Sequence, residues 1–305
     1  MRIAYYGNFR PQHSTENHLA LTLEDMGHEV VRIQEDGPQS LVVSELMLWT
    51  RTWPGFVTDE TLEWYRRLNI PTVSYHLDLY VGIQRESTLD TDPFWHTDYV
   101  FTPDGDPHSA EIFKSKGINH HWLKPGVFKL ECKKGNFRPE YEADIAFIGT
   151  VWNYHPEWPY REKLVNWLAE TYGKRFKIYG KPPYPQVRNQ ELNDVLASTK
   201  IIIGDSLCKD FTHEKYWSDR VYETTGRGGF IIHPYIRGLD AEFADKKEIV
   251  FYPFNDFTML QGLINFYLEN DHNRELVRDR GMKRTKAEHT YHNRLEEMLN
   301  VVNQT

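Results

Sequence analysis

Cysteine is scarce in this chain: 305 residues contain two, Cys132 and Cys208. They stand far apart, with no C-x-x-C or Cys–His spacing, so neither a disulfide framework nor a zinc site is indicated. That usage suits a reducing compartment, with both thiols serving as packing residues. Long apolar runs are missing as well. No window approaches the ~18 residues that a membrane span requires. The opening MRIAYYGNFR runs straight into about six strand-like residues, too few for a signal-peptide core, so a cytoplasmic protein is expected. Positive charge is not in excess either. A formal net charge of −8 gives no global electrostatic reason for a nucleic-acid or anionic-membrane surface, although local basic patches stay open. The histidines show no H-E-x-x-H or H-x-x-x-H spacing, so no metal is expected. There is no internal repeat, low-complexity tract or useful heptad run.

What is present is rhythm. With 40% hydrophobic residues the chain can bury two ordinary cores or one large one. Short apolar runs rich in Val, Ile, Tyr and Phe recur: RIAYYG, HEVVRI, LMLW, PTVSYHL, DYVFTP and HHWLKPG. Between them lie charged segments of helical spacing such as STENHLALTLEDMG and DETLEWYRRLN. Strands apolar on both faces, alternating with helices, predict a parallel sheet covered on both sides. A polar stretch without periodicity, KLECKKGNFRPEYEA, interrupts the series, and the alternation restarts with DIAFIG, FKIYG, KIIIGD, GGFIIHP and EIVFY. The expectation is an α/β protein of two Rossmann-like domains, residues 1–138 and 139–305, facing a central cleft. A charged helical segment closes the chain and packs back towards the first domain. Ligands in such folds lie beyond the carboxyl ends of the strands, so residues that follow strands are the candidates.

In the second domain Ser218 and Asp219 are natural N-cap residues for a short helix, RVYETTG, ended by Gly226. Glu223 on that helix can accept two hydrogen bonds from vicinal hydroxyls, as a ribose presents; the plainer reading is an exposed acid or an arginine partner. Gly238, opening GLDAEF, lets backbone amides approach a ligand and makes that helix start a candidate diphosphate seat. Gly149 and Thr150 end a strand, and Arg161 and Lys163 a little further on are either phosphate contacts or a solvated helix face.

The pattern Arg220, Glu223, Gly228, Gly229, then Gly238-Leu239 and the ending His289, Thr290, Tyr291, Arg294 resembles the C-terminal domain of group 1 glycosyltransferases of the GT-B fold, nearest the spore-maturation-protein-like branch. The resemblance implies a transferase moving a sugar from a nucleotide-sugar donor, UDP-type first, to an acceptor hydroxyl. It implies retention of configuration and no metal or other cofactor. Glu223 would bind the donor ribose, Arg220 would contact the donor, Gly238 and Leu239 would serve the diphosphate or sugar, and Gly180 and Lys181 the base. Relatives carry a further acid eight residues before the ribose acid. Here that position is Lys215 beside Glu214, which leaves the first acid's role to Glu214, Asp205 or Lys209.

In the first domain the loop after Gly7 offers Asn8, His13 and Ser14 on the acceptor side and Glu16 as a catalytic candidate, although Ser14 also reads as a helix cap. His76 and Asp78, two apart at a strand end, share a face in extended geometry and form a candidate base and its orienting acid. Two D-x-D triplets, Asp90/Asp92 and Asp104/Asp106, support a rival: a metal-dependent GT-A-like enzyme using Asp104 and Asp106, against the plainer reading of turn formers. The GT-B pattern would also suit a sugar-nucleotide isomerase or a non-catalytic sugar-nucleotide binder of the same fold. The acceptor is open among saccharide, protein, small molecule and hydroxymethylated DNA base. The sequence says nothing of oligomeric state.

Overall fold

The computed structural model describes residues 1–38, 40–51, 56–152 and 155–304. The chain divides into two compact units, Met1–Phe128 with Tyr291–Thr305, and Lys129–Thr290.

The first unit is built on a parallel sheet of β1 (Arg2–Gly7), β2 (Glu29–Gln34), β3 (Leu46–Trp49), β4 (Thr72–Tyr75), β5 (Tyr99–Thr102) and β6 (His120–Trp122), in the order β2-β1-β3-β4-β5-β6. Alternation along β1 and β3 sends side chains to opposite faces. Ala4, Tyr6, Met47 and Trp49 enter one core. That core contains Leu62 and Tyr65 of α2 (Asp59–Arg67) and Phe113 of α3 (Pro107–Ser115). Ile3, Tyr5, Leu46 and Leu48 enter the other, against Leu19 and Leu23 of α1 (Thr15–Asp25). Both faces are buried, which is why these strands read as continuous apolar runs.

The second unit repeats the plan with β7 (Ala143–Ile148), β8 (Phe176–Tyr179), β9 (Thr199–Ile203), β10 (Ile231–Pro234) and β11 (Val250–Tyr252), all parallel, in the order β11-β10-β9-β7-β8. Its helices are α4 (Tyr160–Tyr172), α5 (Asn189–Ser198), α6 (Arg220–Gly226), α7 (Leu239–Glu242), α8 (Phe257–Glu269) and α9 (Asp271–Glu288). Counted from its own first strand, the second sheet runs 2-1-3-4-5 and the first runs the same way with a sixth strand added, so the strand order reverses between β1 and β3 in one unit and between β7 and β9 in the other. Each of the eleven strands found among the described residues coincides with a run identified from sequence, β2, β7 and β9 each extending one residue beyond it.

The closing helix α10 (Tyr291–Asn303) belongs to the first unit. Its Tyr291, Leu295, Met298 and Leu299 follow the i, i+4, i+7, i+8 spacing of an apolar stripe and are buried in the α1 core. Removing such side chains from water stabilises by about 1.5–3 kcal/mol each. The division between units falls at Phe128/Lys129, ten residues before the expected 138/139, and the reason is local. The amides of Asn136 and Arg138 donate to Asp194 and Ser198 of α5, and Gly135 lies so close to the Asn193 main chain that a Cβ would sit 2.2 Å from it. The polar linker is therefore fastened to the second unit. Among the described residues no helix is long and apolar enough to cross a membrane.

Candidate functional site

The reversal between β7 and β9 opens a crevice at the carboxyl ends of those strands, where ligands of this architecture bind. Arg220, the first residue of α6, occupies it. Its Nε donates to the Ile148 carbonyl at 2.9 Å and its Nη1 to the Asp205 carbonyl at 2.6 Å, bridging the two strand ends. Gly149 has φ of 135° and faces the guanidinium: a Cβ there would lie 2.5 Å from Arg220 Nη2. Glycine is thus required both by the backbone and by the arginine. Gly180 (φ 110°) lies against the Gly149 carbonyl, and Lys181 places its ammonium 3.5 Å from the Trp152 ring centroid. Gly149, Thr150, Gly180, Lys181 and Arg220 are therefore gathered at one end of the sheet.

Arg161 lies beneath the same loops, buried and paired, whereas Lys163 points to solvent. Arg161 of α4 is 1% exposed; its Nε pairs with Asp205 at 2.7 Å and its Nη1 donates to the Thr150 carbonyl at 3.0 Å. Trp158 Nε1 approaches both oxygens of the same carboxylate, at 3.2 and 3.1 Å. Arg161 and Asp205 neutralise each other inside the unit and fix the loops that carry Thr150 and Asp205, so Arg161 acts as a strut. This also removes Asp205 as a sugar-hydroxyl ligand in this conformation. Lys163 is exposed, donating to Asn255 at 2.9 Å and lying over the Phe257 ring.

Glu223 stands one turn beyond Arg220 on α6. Its Oε2 accepts from Arg227 Nε at 2.6 Å. Arg227 is 3% exposed and also reaches the Glu131 carboxylate, Asn193 Oδ1 (2.7 Å) and the Asn189 carbonyl (3.2 Å). One guanidinium serves two carboxylates, so the group carries excess negative charge. Burial, opposed by Arg227 and reinforced by Asp219 and Glu131, pushes the Glu223 carboxyl up to about 7. The helix end differs from expectation. Gly226 is the last helical residue and the left-handed position is Gly228 (φ 76°), whose amide and that of Gly229 return to the Thr225 and Thr224 carbonyls.

The segment after β10 places Gly238 in the left-handed region (φ 98°) before α7, which has four residues. The Gly238 amide donates to Asp240 Oδ1 at 3.1 Å and the Leu239 amide to the Ile236 carbonyl at 3.0 Å, while the Leu239 side chain is fully buried. A four-residue helix with both amides engaged does not form the diphosphate seat expected of it. Lys215 lies on Gly238, its Cγ 3.0 Å from where a Cβ would stand, and Glu214 pairs with Arg237 at 3.1 Å.

In the first unit the corresponding crevice, between β1 and β3, holds Glu16. This acid is 5% exposed in the first turn of α1, and a Cβ on Gly7 would sit 2.7 Å from its Cγ and 3.3 Å from the Thr50 carbonyl. Ser14 caps α1, accepting from the Asn17 amide at 3.2 Å; His13 is exposed; Asn8 Oδ1 accepts from Gln34 at 3.2 Å. His76 and Asp78 do not form the expected dyad, because β4 ends at Tyr75 and strand alternation stops there. The His76 Nδ1 accepts from the Asp78 amide at 3.0 Å, its Nε2 meets Tyr80 Oη at 3.1 Å, and the Asp78 carboxylate pairs with Arg85 at 3.0 Å. Burial holds the His76 imidazole down to about 4, so it is neutral at physiological pH.

The D-x-D triplets are structural. Asp106 caps α3 through the His108 amide (2.9 Å) and Asp104 Oδ1 accepts from the Asp106 amide (3.3 Å). Asp92 caps the turn before β5 and pairs with Arg51, and Asp90 pairs with Lys116. A cavity of about 630 Å³ lines α2 and His96. His96 precedes β5, so that cavity does not lie at the carboxyl ends of the strands.

Sequence reasoning missed Arg227 and Trp158. The i, i+4 spacing of Glu223 and Arg227 was the available signal for the first; Trp158 left none.

Residues 161–300 match the family described as Glycosyl transferase-like. No curated protein matches the chain significantly. Among solved structures, an α-glucosyltransferase in complex with UDP shares 10% identity, with 99% of this chain and 100% of that one covered and a TM-score of 0.68. An α-glucosyltransferase in complex with UDP-glucose and DNA containing an abasic site shares 12%, covering 99% of each chain, with a TM-score of 0.67. Alr3699/HepE from Anabaena in complex with UDP shares 9%, covering 100% of each chain, with a TM-score of 0.59. At these identities the likeness is one of fold: two parallel-sheet α/β domains, as in GT-B glycosyltransferases. The two sheets overturn the single-domain GT-A reading built on Asp104 and Asp106.

Proposed function

We propose that this protein is a glycosyltransferase that moves a sugar from a nucleotide-sugar donor, UDP-linked in the first instance, to an acceptor hydroxyl. The observation that carries the proposal is α6: one short helix puts a guanidinium into the β7/β9 crevice and a carboxylate one turn away, at the i, i+3 spacing that shares a face. A cation at a strand-end crevice suits a diphosphate, and a carboxylate nearby suits ribose hydroxyls. The family match across Arg161 to the closing helix, and UDP or UDP-glucose in the structural neighbours named above, support the same assignment.

The chemistry follows from where charge develops. As the glycosidic bond to the diphosphate lengthens, negative charge builds on the leaving oxygen, and Arg220, held in place by two carbonyls, is preorganised to stabilise it. Lys181 lies at the same sheet end and Glu223 would anchor the ribose, so that binding energy far from the reacting carbon fixes its position. Arg161 acts indirectly, by holding the loops. We assign retention of configuration, metal independence and the spore-maturation-protein-like branch on the resemblance of the α6 pattern. The leaving oxygen then takes the acceptor proton and no enzymatic nucleophile is needed. The acceptor side belongs to the first unit, around Asn8, His13, Ser14 and Glu16.

The test is a panel of UDP-, GDP-, TDP- and ADP-sugars with saccharide, peptide and hydroxymethylated-DNA acceptors. Release of nucleotide is the measurement. Release that depends on an acceptor supports transfer; conversion of the donor sugar without acceptor would identify an isomerase, and binding without turnover a carrier. No binding of any sugar nucleotide would end the proposal.

A further inference from the structure

Arg227 is buried and joins α6 to α5 and to the segment around Glu131. Its donors are divided among Glu223 Oε2, the Glu131 carboxylate, Asn193 Oδ1 and the Asn189 carbonyl. A guanidinium fixed on four sides cannot swing, so the Glu223 carboxylate it grips is fixed as well. The side chains of Glu223 and Glu131 keep 20% and 14% exposure while Arg227 keeps 3%, so the acids reach the surface and the cation lies beneath them.

Resting on the ribose assignment of Glu223 above, we propose that Arg227 is the positioning residue of that acid. We further propose that Glu131, by competing for the same guanidinium, sets the pH range in which the acid holds a donor. Ribose hydroxyls donate, so they need an ionised acceptor. Arg227 favours the ionised form; Glu131, in the segment that opens the second unit, and Asp219, at the head of α6, disfavour it. The remaining neighbours are few. Cys132 faces Glu223, Lys286 of α9 lies near that thiol, and α5 contributes the neutral Asn189 carbonyl and Asn193 amide. Burial pushes the Cys132 thiol up to about 12, so it stays neutral throughout. The balance at Glu223 is therefore set by one shared cation and two neighbouring acids.

The experiment measures affinity for UDP-glucose, whose diphosphate diester does not titrate near neutrality, from pH 5 to 9. The proteins are the wild type, E131Q, R227Q and R227K. In the wild type, affinity falls as pH drops through the neutral range. Glu131→Gln frees Arg227 for Glu223 and moves that midpoint to lower pH. Arg227→Gln moves it to higher pH and weakens binding at pH 7 by about tenfold or more, with partial rescue by R227K. A purely structural arginine would change affinity without moving the midpoints in opposite directions. Midpoints that stay put, or move together, overturn the proposal. If R227Q does not fold, as judged by circular dichroism, E131Q alone decides: an unmoved midpoint refutes it. Absence of UDP-glucose binding by the wild type at every pH would instead count against the ribose and donor reading itself.

Discussion

The two sheets use the same steric device at the same topological place, with opposite charge. Where the first sheet reverses, Gly7 makes room for a side chain from the following helix, and that side chain is Glu16. Where the second reverses, Gly149 makes room for Arg220. A Cβ on either glycine would come within 2.7 and 2.5 Å of its neighbour. Fold alone cannot say which crevice takes an anion, since both strand orders are alike. The charge does: an anionic diphosphate is attracted to a guanidinium and repelled by a carboxylate at short range. The likeness of the sheets supplies two possible sites, and the proposed function rests on their difference to assign the roles.

The sharpest way to break that assignment is Arg220→Ala. Turnover of the donor should fall by about 10²–10³, the effect of removing one preorganised donor to a developing negative charge. R220K should recover part of it. Steady-state kinetics on protein checked by circular dichroism is the measurement; a loss under threefold would mean that the leaving group lies elsewhere. Next in size is Glu223→Ala, which should weaken donor affinity about 10- to 100-fold with the fold intact, since a charge-assisted contact is worth about 1.5–3 kcal/mol. Unchanged affinity would remove the ribose role. Glu16→Gln supplies the contrast. Its UDP affinity should stay within about twofold of wild type, a change below about 0.4 kcal/mol; a drop comparable to that of Glu223→Ala would erase the distinction between the crevices.

Glu223 also gives a pH signature without any ligand. The folded protein holds this proton up to about pH 7, whereas an ordinary glutamate releases it near 4.5. Over that window the folded state binds more protons than the unfolded chain, so the stability this group contributes is present below it and is lost as pH rises. Glu223→Gln should flatten that segment of the stability curve, by on the order of 1–3 kcal/mol between pH 4.5 and 7. Urea denaturation at several pH values reads this directly. An unchanged slope would mean that Arg227 cancels the burial of the acid.

The fold was legible in sequence to an unusual depth because parallel strands buried on both faces leave uninterrupted apolar runs, and each run identified became a strand. The site was legible where it depends on neighbours along the chain. Glycines after strands and the Arg220–Glu223 spacing were all visible. Arg161 and Arg227 turned on distant partners. Arg161 looked like a phosphate contact because Asp205, 44 residues later, could not be seen to neutralise it. Arg227 showed only its i, i+4 spacing from Glu223; its second carboxylate, Glu131, is 96 residues away. Gly238 was credited with a helix start whose helix has four residues and whose amide already serves Asp240.

His76 carries a small expected effect on transfer and the clearest lesson in local geometry. Periodicity placed it on one face with Asp78, but alternation holds only within a strand, and β4 stops at Tyr75. Its ring instead accepts the Asp78 amide and meets Tyr80, inside a pocket that keeps it neutral. A base with both nitrogens engaged has no lone pair for an acceptor hydroxyl. Under the proposed function, Glu16 is the catalytic candidate left in the first unit, and its loss should slow transfer. Substitution by Gln at position 76 should leave transfer within about threefold of wild type, less than the 10²–10⁴ expected for a general base. The mark it leaves should be on acid stability. The folded state resists protonating this ring until about pH 4, whereas the unfolded chain protonates near 6.5, so stability falls as pH drops between those values. The H76Q variant should lose part of that acid sensitivity. A hundredfold loss of transfer with unaltered acid unfolding would return His76 to the reaction and move the acceptor site to the carboxyl end of β4.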